Sequence, residues 1–250
     1  MQSNGFVYVA SVNKQFYYAA LHSAQSLLDF YPEAKITLFT HETWVCDEAR
    51  EIFDQIITDG VPNHIRAKLW ALSKSPYDTT LYIDCDTTIQ SEEISEVFDL
   101  LGDNDIIFTR NRPYNAKITK LSETEEMIYH CGLFLYNTKT TKDLMDSWYA
   151  GYLEQNDPRW DPSPYPEEVR KWDTFTMWNL LTNGNFQVKV GEFPAPDAKW
   201  NFVNGYRDFE LSEKHKKVIH HYTVPSRPQD EGLIDDPNIS NTIGNFDILR

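Results

Sequence analysis

The sequence predicts an α/β fold with a mixed, mostly parallel central sheet flanked by helices. Two patterns carry that expectation, and a third says where the chemistry sits. Short apolar runs of strand length alternate with longer segments of helical period, the signature of βαβ units. The 250 residues, 41% hydrophobic and 24% charged, suit one globular domain with a sizeable core. The apolar run Leu81-Tyr82-Ile83 then ends in Asp84-Cys85-Asp86, two carboxylates where the chain should leave the sheet.

Residues 5–10 alternate weakly and predict the first strand. Residues 16–30 carry Tyr17, Leu21, Ala24 and Leu28 on one helical face. A strand over 35–40, a helix near 47–53, a short strand over 55–58 and a helix over 63–73 follow. Next come a strand at 80–83, a helix at 92–101 and strands at 105–109 and 130–137. A helix over 142–153 leads into residues 156–166, whose four prolines mark a surface loop. A helix over 172–182, a strand over 186–190 and a last strand over 217–220 complete the pattern. Residues beyond Pro225 read as an acidic tail.

Composition excludes several classes. A net charge of -15 and a pI near 4.8 argue against nucleic-acid binding, which needs Lys and Arg on phosphates. No apolar run approaches the roughly 18 residues that span a bilayer. The N-terminus lacks a basic segment leading into an apolar stretch, so no signal peptide is expected. Cys46, Cys85 and Cys131 show neither CxxC nor zinc spacing and read as reduced thiols of a cytoplasmic protein. Aromatic residues are abundant in polar surroundings, as at Tyr149, Tyr152, Trp160, Tyr165 and Trp172. Their faces suit sugars and bases, and an amphipathic core edge accounts for them equally.

Residues two apart on a strand point the same way, so Asp84 and Asp86 converge on one point. They repel unless a cation or a proton lies between them. A hard divalent cation, completing its shell with substrate phosphates, is the natural occupant. Ligands of open α/β sheets collect at such strand ends. The alternative is two solvated aspartates at a turn.

Four pieces in order then carry a resemblance. They are Val9-Ala10-Ser11-Val12-Asn13 at a strand end and Arg66-Ala67-Lys68-Leu69-Trp70 upstream of the aspartates. The third is Asp84-Cys85-Asp86, and the fourth is His220-His221-Tyr222-Thr223-Val224-Pro225-Ser226-Arg227-Pro228. Together they resemble the retaining glycosyltransferases of family 8, over about residues 5–228. The resemblance implies a GT-A fold, a single Rossmann-like nucleotide-binding domain using a UDP-sugar and Mn²⁺ (or Mg²⁺). It places a glycosyltransferase domain at 1–228, with a nucleotide-binding half at about 1–110, an acceptor-binding half at about 111–228 and a tail at 229–250.

Further implications attach residue by residue. The family's H-x-x-G-x-x-K-P motif puts His221 with Asp84 and Asp86 as metal ligands. Val224 stands where the motif has Gly, and Arg227 stands where it has the diphosphate-binding Lys, keeping the charge. His220 is the rival ligand, and strand alternation lets only one of the pair face the metal; motif spacing favours His221. Ala10, Ser11, Val12 and Asn13 would line the base and ribose pocket, with Phe16 or Tyr17 stacking on the base. Lys68, or Arg66, would lie near the donor sugar or phosphate, and Cys85 sits between the two ligands. His130-Cys131-Gly132 departs from the family's N-[ST]-G segment beside the donor sugar. Asp173 matches the Asp of a D-Q segment near the reacting face, and its alternative is a helix N-cap.

The implied reaction moves a hexose, glucose or galactose, from UDP to a hydroxyl of a glycan, protein or lipid-linked acceptor with retention. Asp173, Arg227 and Lys68 are the expected catalytic residues. Asp173 would be the nucleophile, unless a front-face route needs none. Residues 156–172 would wall the acceptor site. Two alternatives stay open. Ile83-Asp84-Cys85-Asp86-Thr87 also fits the haloacid-dehalogenase-like phosphatases, although an acidic pair at Asp103 and Asp105 comes too soon after it. A non-catalytic glycan-binding protein is the other.

Overall fold

The computed structural model describes residues 3–111, 129–160, 172–203 and 216–222. Its first half runs β1 (Asn4–Val9), α1 (Lys14–Phe30), β2 (Ile36–Phe39), α2 (Asp47–Ile52), β3 (Gln55–Ile57), α3 (Ala67–Ala71) and β4 (Thr79–Ile83). β1 lies parallel to both β2 and β4, and β2 lies parallel to β3. β2 and β4 are buried at every position. Such continuous burial marks strands covered on both faces. Phe6, Tyr8, Leu81 and Ile83 face one core layer with Leu21 and Ala24 of α1. The intervening Val7 and Tyr82 face the other, with Leu69 and Leu72.

The second half inverts the sheet. β7 (Tyr129–Asn137) runs antiparallel between β4 and β6 (Ile106–Arg110), and β8 (Val190–Glu192) pairs in parallel with β6. The resulting order is β3-β2-β1-β4-β7-β6-β8. Because β7 is reversed, its first residues arrive at the edge where β4 ends. The register of β7 on β6 shifts between Phe108 and Thr109, a bulge that re-aims Cys131 and Gly132. Helices α4 (Lys142–Gln155) and α5 (Asp173–Asn183) pack together on the Tyr82 side, where Trp148 is fully buried.

A small second sheet has the order β5-β10-β9, from β5 (Thr87–Ile89), β10 (Ile219–His221) and β9 (Phe202–Val203). β5 and β9 were not foreseen: runs of three and two residues show no usable period. The strand expected over 186–190 begins only at Val190, whose partner Ile106 is the first residue of β6. The helix expected over 63–73 shortens to Ala67–Ala71 with a 3₁₀ turn at Leu72–Lys74. Ahead of it, Arg66 N–H donates to His64 Nδ1 at 3.0 Å, holding a turn in place of helix. Residues 92–101 form 3₁₀ rather than α-helix.

Candidate active site

Asp84 and Asp86 lie in a bend between β4 and β5, not within a strand as the alternation argument assumed. What turns them together is a hydrogen-bonded frame. Asp84 N–H donates to Gly132 O at 2.8 Å, and Tyr222 N–H donates to Asp86 O at 2.8 Å. Beneath the bend, Thr87 Oγ1 donates to Asp84 O at 3.0 Å, so it accepts from Ser23 Oγ at 2.7 Å. Ser23 in turn accepts from Tyr8 O–H at 3.1 Å. This chain ties the bend to α1 and β1.

β10 delivers the third group. His221 Nε2 is 3.3 Å from Asp86 Oδ1 and 4.0 Å from Asp84 Oδ2. Ligand atoms of Asp84, Asp86 and His221 all lie within 4.8 Å of one another. His220 points the other way, its ring against Phe202 and Tyr222 and its Nδ1 3.4 Å from Gln90. Two carboxylate oxygens and an imidazole nitrogen suit a divalent cation. The space around them is kept by Gly132. A methyl group there would lie 2.5 Å from Asp84 Oδ2, 2.6 Å from His130 Cε1 and 2.9 Å from His221 Cε1. The residues therefore fit a metal.

A buried ion-pair network braces the other side. Lys68 Nζ is 2.9 Å from Asp173 Oδ2, 3.3 Å from Asp84 Oδ1 and 2.9 Å from Cys131 O. It donates to Asp84 Oδ1 and Cys131 O, and its charge pairs with Asp173. Tyr82 O–H also donates to Asp84 Oδ1, so Oδ2 is the oxygen turned toward His221. Arg66 is 3.6 Å from Asp173 Oδ1. Burial would pull the Lys68 ammonium down, but Asp173 and Asp84 outweigh it and the net shift is upward. Burial would likewise push Asp173 up, yet Arg66 and Lys68 hold it well below the usual carboxylate range. Both groups stay charged.

A cleft, partly open to solvent, runs from these aspartates along the ends of β1 and β4. Phe16, Ser11, Arg66, Lys68, Asp84, Cys85 and Asp86 line it, and so do His64 and Ile65. The expected residues at the strand ends make further contacts. Tyr17 is fully buried, its oxygen accepting from Cys46 N–H at 3.1 Å, so Phe16 is the aromatic that reaches the cleft. Ala10 is fully buried, with its N–H on Phe39 O at 2.9 Å. Ser11 Oγ donates to Pro62 O at 2.7 Å and accepts from His41 Nε2–H at 2.9 Å. Asn13 caps α1, its Oδ1 accepting from Gln15 N–H at 2.9 Å. Val12 between them takes a φ of +68° while Asn13 N–H donates to Ser11 O at 2.8 Å, a tight γ-turn. Cys85 turns its thiol inward to Val9 O at 3.2 Å, and burial pushes its pKa well up. Arg227, with residues 161–171 of the expected acceptor wall and the tail, lies outside the described residues.

His130, expected only as part of the segment beside the donor sugar, is joined here by Asn201, Thr109 and Tyr82, which no motif marked. Only Tyr82 carried a signal, two positions before Asp84 on the same strand face. Asn201 sits between Trp200 and Phe202 with nothing in the sequence to link it to a histidine 20 residues on.

No protein-family model matches the sequence, and no curated protein matches it either. Solved structures do. The fold they define is that of the GT-A glycosyltransferases. The galactosyltransferase LgtC, solved with donor and acceptor sugar analogs, superposes with a TM-score of 0.57 at 17% identity, covering 96% of this chain and 95% of that one. The glycosyltransferase GlyE of Streptococcus pneumoniae gives 0.66 at 15% identity, over 97% of this chain and 60% of GlyE. Mouse xyloside xylosyltransferase 1 gives 0.51 at 13% identity, over 89% and 100%. LgtC and GlyE are of the family 8 type, the group that the sequence motifs resemble. Among the described residues no helix is long and apolar enough to cross a membrane.

Proposed function

We propose that this chain is a metal-dependent retaining glycosyltransferase of family 8, moving glucose or galactose from UDP to an acceptor hydroxyl. The observation that carries the reading is the convergence of Asp84, Asp86 and His221 at the mouth of a cleft in a GT-A fold. Those three residues would hold Mn²⁺ or Mg²⁺. When bound, that cation supplies Lewis-acid neutralisation of the departing diphosphate.

The protein's own groups do the rest. Phe16 offers its ring to the base, beside the Ser11-to-Asn13 turn. Arg227 adds positive charge at the diphosphate, which otherwise meets a chain of net charge -15. Lys68 and Arg66 hold Asp173 ionised under the donor sugar, where a carboxylate stabilises the positive charge developing on the ring. The division at about residue 110 into donor and acceptor halves, with 229–250 as a tail, belongs to the same proposal, as do a glycan, protein or lipid-linked acceptor and a cytoplasmic setting.

The test is a screen of UDP-glucose, UDP-galactose and related donors with Mn²⁺ or Mg²⁺, following UDP release. Wild type should release UDP only with a divalent cation, and Asp86→Ala should abolish release. If no nucleotide-sugar is bound or turned over with any divalent metal, the proposal fails.

A further inference from the structure

Gly132 N–H can only donate, and it donates to His130 Nδ1 at 3.1 Å. That ring nitrogen is therefore an unprotonated acceptor. The Asn201 atom 3.0 Å from the same nitrogen must also be a donor, which assigns it as Nδ2. Nδ2 has a second acceptor in Thr109 Oγ1 at 2.9 Å. The opposite end of the amide, Oδ1, is then the atom 3.0 Å from His221 Nδ1. A carbonyl oxygen only accepts, so His221 Nδ1 carries the proton. In a neutral imidazole the other nitrogen keeps the lone pair, and His221 Nε2 is the atom facing Asp86 and Asp84.

We infer that Asn201 is a positioning residue that fixes His221 as its Nδ1–H tautomer, presenting the Nε2 lone pair to the point shared by the two aspartates. The inference rests on the proposed metal centre for its purpose, but its chain of donors and acceptors starts from a backbone N–H. Asn201 is fully buried, as is Thr109, so water does not compete for the amide. One side chain sets two imidazoles in opposite states because an amide has one donating and one accepting end. Partners that orient a ligating histidine raise metal affinity by about 10- to 100-fold in other sites.

The test uses the full chain, labelled with ¹⁵N-histidine and free of metal, in long-range ¹H–¹⁵N correlation spectra at a pH where the ring is neutral. Wild type should show Nδ1–H at His221 and Nε2–H at His130. Asn201→Leu should mix the His221 tautomers and weaken Mn²⁺ binding, read by electron paramagnetic resonance of free Mn²⁺, about 10- to 100-fold. An Nε2–H tautomer at His221 in wild type overturns the inference without any variant having to fold. So does unchanged Mn²⁺ affinity in folded Asn201→Leu. If wild type shows the expected tautomers yet binds no divalent cation, the metal centre fails while the hold of Asn201 on His221 stands.

Discussion

Gly132→Ala is the smallest change that should empty the proposed metal centre. Ordinary contact begins at 3.4 Å, so the new methyl would sit about 0.9 Å too close to Asp84 Oδ2, and closer than 3.0 Å to carbons of both His130 and His221. None of the three can simply swing away. Asp84 is held through Oδ1 by Tyr82 and Lys68, His221 by Asn201, and His130 by Gly132 itself. Overpacking of this kind costs about 1–3 kcal/mol. For a chain of this size that lowers Tm by roughly 2–12 °C. The effect on function should be larger, because ligand sets tolerate only about 0.5 Å of displacement. Mn²⁺ affinity should fall by at least about 100-fold, measured by calorimetric titration beside a thermal melt. Gly102→Ala is the control. Its φ of +52° with ψ of -128° makes the substitution costly by about 1–3 kcal/mol, yet its Cβ would meet nothing within 4 Å, so Mn²⁺ binding should persist. A Gly132→Ala protein that binds Mn²⁺ as wild type does would refute the crowding argument.

Four further outcomes follow from the geometry. Lys68→Met leaves Asp173 and Asp84 facing each other's charge in a buried site and should cost about 3–5 kcal/mol in urea unfolding; a loss below 1 kcal/mol would contradict the brace. Asp173 has a folded pKa held below its unfolded value of about 3.9, so its contribution to stability is complete above that pH and fades as pH falls through the folded value. Between pH 5 and pH 2, Lys68→Met should therefore lose less stability than wild type does, and parallel acid limbs would count against this. Phe16→Ala should raise KM for the nucleotide donor several-fold and, because Phe16 also packs against the core, lower Tm modestly, whereas Tyr17→Phe should lower Tm and leave KM unchanged; an unchanged KM in Phe16→Ala would refute its stacking role. Val12→Gly releases a β-branched residue from φ +68°, and the gain of about 1–2 kcal/mol against a glycine entropy cost of about 0.5–1 predicts a Tm no lower than wild type.

The sequence exposed the sheet well because β2 and β4 are rich in β-branched and aromatic residues and α1 has a full helical face. It exposed the aspartates because they end the apolar run Leu81-Tyr82-Ile83. It could not show that the bend, rather than strand alternation, brings them together, since that depends on Gly132 and Thr87 accepting and donating across the sheet. Of the two histidines, strand alternation ensured that one faces outward, and the pairing of β10 on β5 decides which. Asn201 was invisible for a plainer reason. Its role rests on three contacts separated by 20 to 92 residues in sequence, and no local pattern encodes them.

The small sheet has a consequence for how the chain stays closed. β10 is only three residues long, and it is joined to β5 and β9 by few backbone bonds. Yet it carries His221, while Asp84 and Asp86 lie in the bend that leaves β4 of the large sheet. The proposed cation, held by all three, would act as a clasp across more than half the chain. At a hundredfold excess over its dissociation constant it would add about 2.7 kcal/mol to the closed form. Amide exchange at His220 and His221 should then slow with Mn²⁺ present, while β2 and β4, already locked in the core, should exchange at the same rate with or without it.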